Sequence, residues 1–213
     1  MRNDKSWDLR GRFPIVSSTG RRAMFFPVPH ASRRQAKSAH ELAMLNLLLV
    51  NLPMLIALLA GSFLQQGSPL ADYKLVGVLV PWGVSLGIVA FTFAKAGRLA
   101  TQGTWFVAAH WRLARVRYQI LLLAYAVGAG LIGLGWLVST TQKTHGMQEL
   151  MFVALQRVAI APLLIGLMVL IMLESGALYQ AGRGEVPDSL MKKFPPPADC
   201  TGAATEFGLE DQG

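Results

Sequence analysis

Charge is scarce in this sequence, cysteine almost absent, and no recognisable catalytic motif is present. Only 15% of the 213 residues are charged, against 53% hydrophobic, and the mean hydropathy is +0.40. A soluble domain of this length carries about 25% charged residues. The single cysteine, Cys200, excludes an intramolecular disulfide and says little about compartment. HExxH, Walker A, CxxC, GxSxG and paired-carboxylate patterns are missing. Arg21-Arg22 resembles a twin-arginine element only superficially, since the hydrophobic run lies far downstream. No catalytic residue, cofactor or metal is therefore expected.

The charges that exist are unevenly placed. They gather in the N-terminal arm, in one central segment and in the tail, and leave four long apolar stretches between them. Charge is expensive in hydrocarbon and cheap among headgroups, so this is the pattern of a polytopic membrane protein. The expected spans are at about 42–64, 75–94, 118–138 and 150–173, each near or above the ~20 residues a helix needs to cross the bilayer core. Continuous apolar runs of this length favour helices over a β-barrel, whose strands are shorter and alternate. The expected fold is all-α.

Orientation follows from the basic residues. Residues 1–41 hold nine Lys or Arg, and the segment between the second and third spans holds five with no acid. The connections after the first and third spans hold one each, Lys74 and Lys143. The positive-inside rule then places both termini and the central segment in the cytoplasm, with the spans arranged as two hairpins. No cleavable signal peptide is visible, and the first span is expected to be a retained signal-anchor. The same rule accounts for the net charge of +8 and the pI near 10.1 without a nucleic-acid partner.

Three regions follow: a basic cytoplasmic arm at 1–41, the membrane domain at 42–173, and a flexible cytoplasmic tail at 174–213. The tail carries seven acids, three bases and the run Pro195-Pro196-Pro197. The cytoplasmic segment 95–117 reads as an interfacial helix or an inward extension of the third span. Trp105, Arg112, Arg115 and Arg117 there, and Arg33, Arg34 and Lys37 in the arm, are expected to anchor on anionic phospholipids at the cytoplasmic face. Similar ends before the first and third spans, Ala39-His40-Glu41 and Ala109-His110-Trp111, together with Pro81 and Pro162, are what a duplicated hairpin would leave.

Within the spans, polar residues are few. Arg157 is the only charge well inside one, and a charge at mid-membrane costs on the order of 3 kcal/mol on insertion scales. It is expected to meet a partner subunit, a polar cavity or the outer interface. Gln156, Asn51 and Asn46 are the other intramembrane polar candidates, Asn51 lying at a depth comparable to that of Arg157. His40 and His110 fall at span edges, where an interfacial place is expected rather than a metal or haem. Gly83 and Gly87 form a GxxxG in the second span, and Gly128, Gly130 and Gly133 cluster in the third. Both sets are expected to be helix-packing surfaces.

The function these features favour is a non-catalytic membrane subunit that scaffolds or stabilises a larger complex of a bacterial inner membrane, its partners being other membrane subunits. The alternatives are a small transporter or channel with a polar midplane site around Arg157, and a membrane enzyme acting on lipid or quinone.

Overall fold

The computed structural model describes residues 23–61 and 73–197. Most of them are helical. A short strand β1 (Ala23–Phe25) leads into α1 (His30–Leu45), a π-helical stretch at Asn46–Asn51, and α2 (Leu52–Gly61). Then come α3 (Lys74–Gln102), α4 (Trp105–Thr140) and α5 (His145–Arg183). A second strand β2 (Glu185–Pro187) and one turn of helix, α6 (Asp188–Met191), close the described chain. Among the described residues, four stretches of helix are long and apolar enough to cross a membrane: His30–Leu59, Val76–Gln102, Trp105–Thr140 and His145–Arg183.

The helices run well past the apolar stretches. Of the segment 95–117, residues 95–102 are the last turns of α3 and residues 105–117 the first part of α4, so from Trp105 on the inward extension of the third helix is the arrangement found. The α5 helix continues beyond residue 173 to Arg183 and ends on Gly184, whose φ of 83° is the left-handed conformation that glycine adopts freely. That turn sends the chain back along β1: Phe25 pairs with Glu185, Met24 with Val186 and Ala23 with Pro187. A flexible tail starting at residue 174 is thus not what the structure has. Residues 174–191 form helix, strand and helix, because Ala177, Ala181, Val186 and Leu190 have a core to enter. The rest of the expected tail, from residue 198, lies outside the described residues, as do residues 1–22 of the arm.

Two cores result. One lies at the strand end and gathers Phe26, Ala36, Ala39, Phe106, Trp111, Val186 and Leu190 among others; we call this end the head. The second occupies the apolar stretch and gathers Leu47, Leu55, Val89, Leu121, Leu163 and Leu167 among others. The inner faces of α4 and α5 link the two. On α5 the buried positions include Ile160, Leu163, Leu167, Leu170, Glu174, Ala177 and Ala181, and on α4 they include Trp111, Ala114, Tyr118, Leu121, Gly128 and Gly135. Steps alternating between three and four residues keep one stripe facing a neighbour over many turns, as in a coiled coil. Glu174 occupies a position in that stripe.

Glycine sets the spacing of α4 and α5 in the membrane half. A Cβ on Gly128 would stand 2.7 Å from Leu163 Cδ1, and one on Gly135 would stand 2.9 Å from Leu155 Cβ. Across the contact, a Cβ on Gly166 would meet Ala124 at 3.2 Å. Gly83, Gly87, Gly130 and Gly133 have nothing within 4 Å of an added Cβ. Of the five glycines expected to pack helices, Gly128 alone does so among the described residues; the other four are exposed there.

Candidate functional site

Where the two cores meet, α1, α4 and α5 approach through small residues. Ala39, Ala43, Ala114 and Ala177 are all nearly or fully buried there. The space they leave holds His40, His110 and Glu174, each no more than 1% exposed. His40 Nδ1 lies 2.6 Å from Glu174 Oε2, and His40 Nε2 lies 3.0 Å from His110 Nδ1. His110 Nε2 is 3.1 Å from the backbone carbonyl of Glu185. One hydrogen-bonded chain therefore joins α5, α1, α4 and β2.

Elementary valence fixes most of its protons. The Glu185 carbonyl only accepts, so His110 Nε2 donates, and in the neutral ring His110 Nδ1 is the free acceptor that takes the bond from His40 Nε2. The remaining proton lies between His40 Nδ1 and Glu174, making either a carboxylate–imidazolium pair or a carboxylic acid–imidazole pair. In both forms Glu174, His40 and His110 together carry no net charge. Arg117 adds one positive charge. Its Nη1 donates to the Leu173 carbonyl at 2.7 Å and lies 3.4 Å from Glu174 Oε2. Phe106 packs its ring against His110 with centroids 4.8 Å apart.

A second polar group lies deeper in the bundle, and the π-helical stretch creates it. Pro53 has no N–H, and its ring would crowd the carbonyl four residues back in a regular helix. The wider i→i+5 winding just before it accommodates this, with Leu52 N–H bonding the Leu47 carbonyl. Five residues make roughly one π-turn, so Asn46 and Asn51 stand on one buried face. Asn51 Nδ2 donates to the Asn46 carbonyl at 2.9 Å and lies 3.0 Å from Ser85 Oγ. Tyr125 completes the group: its hydroxyl is 2.8 Å from Ser85 Oγ and bonds Asn51 Oδ1. Asn51 to Ser85, Ser85 to Tyr125 and Tyr125 to Asn51 closes a ring in which each group donates once. Asn46 Nδ2 also reaches the Tyr118 hydroxyl at 3.4 Å. Beside the ring, an apolar cavity of about 210 Å³ is lined by Met54, Leu79, Trp82, Ala129 and their neighbours, with Tyr125 at its edge.

The expected site residues fall into three sets. Asn46 and Asn51 are buried and bonded together. Arg157 is exposed on α5 and Gln156 is half-buried, while the bonds described for Asn51 run to Asn46, Ser85 and Tyr125. Most of the expected lipid anchors have partners in the protein itself. Trp105 Nε1 donates to the Phe194 carbonyl at 3.3 Å, and Arg112 stacks over the Phe194 ring at 4.1 Å. Arg115 lies over Phe93, and Arg33 bonds the Val28 carbonyl and faces Phe25. Arg34 is exposed, and Lys37 lies 4.0 Å from Glu41.

His40 and His110 were expected at the interface and are instead fully enclosed. Their partner Glu174 was assigned to the tail. The signal that finds it is the α5 spacing, which continues through Glu174 to Ala177 and Ala181 without a break. A carboxylate inside an unbroken buried stripe requires partners, and two histidines at matching depth are the available ones. Comparison with known proteins identifies no relative: no family model matches the chain, and no match is found among curated proteins or solved structures.

Proposed function

We propose that this chain is a non-catalytic subunit of a larger assembly in a bacterial inner membrane. In this reading its four membrane helices form two hairpins, and the head and both termini face the cytoplasm. The observation that carries the proposal is the division between polar and small residues. Asn46, Asn51, Ser85, Tyr118, Tyr125, His40, His110 and Glu174 bond to one another or to backbone inside the bundle. Gly83, Gly87, Gly130 and Gly133 instead lie on outer faces with open space above them. Interior groups bonded in this way rigidify a bundle. Glycines on an outer membrane face let a neighbouring helix approach its backbone closely.

The positively charged head surface, with Arg34, Arg98, Arg115, Lys192 and Lys193 exposed, supports a cytoplasmic position against anionic phospholipid. Purification of the tagged protein from its native host in a gentle detergent, with mass spectrometry of what remains bound, tests the proposal. A stoichiometric set of membrane proteins is expected, weakened by Gly83→Ile together with Gly87→Ile. A chain that emerges alone, as monomer or homodimer, overturns it.

A further inference from the structure

We propose that Glu174, His40 and His110 form an acid-released latch that holds the return segment, β2 and α6, closed on α1, α4 and α5. The proposal is independent of the subunit reading and applies to the isolated chain. Its basis is the way the hydrogen-bonded chain is filled. Glu174 on α5, His40 on α1, His110 on α4 and the Glu185 carbonyl on β2 are joined in series, through both nitrogens of each imidazole. The only ring nitrogen able to take another proton is His110 Nδ1, or its equivalent one step along, and it already accepts from His40. A proton added there sets donor against donor and breaks the series.

The surroundings do not relieve this. From α4, Arg117 presents a positive charge at the same carboxylate, and Tyr118 is bonded to Asn46. On α1, Lys37 and Glu41 pair with each other near the surface. On α5 and β2, Arg183 and the Glu185 side chain pair at 3.0 Å. On α3, Lys95 lies over Trp111 at 4.1 Å and supplies a further positive charge. No carboxylate among these is free to compensate a second imidazolium.

Opening reverses the situation. Once β2 leaves, the His110 ring meets water and titrates as an ordinary histidine near 6.5. The open form then binds a proton that the closed form cannot. Linkage gives the sign: opening grows more favourable as pH falls below about 6.5, by about tenfold per pH unit for one released histidine. What is released is the return segment, because the last bond of the chain is to β2, and β2 holds β1 and leads into α6.

The test is hydrogen exchange of the purified full chain in detergent, read as protection factors so that the intrinsic pH dependence cancels. Amides of residues 185–191 are compared at about pH 7.5 and about pH 5, where the wild type is expected to lose protection by about tenfold or more. His110→Asn keeps an amide that can accept from His40 but cannot be protonated, and its protection is expected to stay level between the two pH values. Unchanged protection in the wild type, or an equal loss in His110→Asn, overturns the latch. Should that variant fail to fold, 15N resonances of the wild-type histidines decide the matter. His110 Nδ1 is expected to stay bare at about pH 5 as long as residues 185–191 remain mostly closed, while their protection falls. A His110 protonated on both nitrogens with the segment still closed overturns the proposal.

Discussion

Around the histidines, α1, α4 and α5 meet through alanines, and the polar side chains between them, Glu174, His40 and His110, are bonded in series. Further along the same helices, contact is made by glycine against leucine, and much of the outer surface is exposed apolar side chain. Leu49, Ile56, Leu123, Trp136, Leu150, Ile165 and Met172 all face outward there. The head is held by specific, directional bonds around a small core. The membrane half relies on close approach, in a solvent that gives apolar side chains no reason to hide. Substitutions that remove a bond and those that add a methyl group should therefore act very differently in the two halves.

The largest effect is expected at Glu174. Glu174→Ala leaves Arg117 and the histidine pair without their carboxylate in a buried site, and losing one partner of a buried charge pair costs about 3–5 kcal/mol. Thermal unfolding in detergent should show a large drop. Glu174→Gln, which can still hydrogen-bond His40, should fall between the two. A wild-type transition for Glu174→Ala would mean that the head is not held by this chain.

In the membrane half the corresponding break is steric. Gly128→Val places a side chain against Leu163 where a Cβ alone has 2.7 Å, and overpacking of this kind costs about 1–3 kcal/mol. Gly130→Val, two residues along the same helix, meets open space and should leave the melting temperature of the isolated chain unchanged. Equal effects at the two positions would show that α4 and α5 do not pack on the face described here.

The same contrast explains what could be read from the sequence. The four spans followed from apolar length, because hydropathy reports the solvent each stretch prefers and nothing finer is needed. Gly128 and Gly130 look alike in sequence, since a cluster of glycines in a helix says that something can come close without saying on which side. Only the α4 stripe Tyr118, Leu121, Gly128 and Gly135 decides between them. Glu174 was misplaced for the opposite reason. Hydropathy ends the span where the first carboxylate appears, yet the helix and its buried stripe continue, and only tertiary pairing with His40 makes a charge acceptable there. Asn46 and Asn51 were legible as intramembrane polar residues. Their shared face was not, because a five-residue spacing faces inward twice only in π-winding.

A smaller effect is expected where a ring of neutral hydrogen bonds stands in the apolar half. Asn51→Leu removes the donor to Ser85 and the acceptor of Tyr125 together, leaving those two hydroxyls to bond each other. Interhelical hydrogen bonds within membranes average about 0.6 kcal/mol and reach about 1.7, since the separated helices also find partners. Asn51→Leu should therefore lower the unfolding temperature modestly, and far less than Glu174→Ala. The π-helical stretch provides a second readout. If Pro53 imposes that winding, Pro53→Ala should restore regular helix, rotate Asn51 away from Ser85, and reproduce the Asn51→Leu loss without touching a polar group. If Pro53→Ala instead stabilises the chain and Asn51→Leu still destabilises it, the ring, and not the proline, is what maintains the winding.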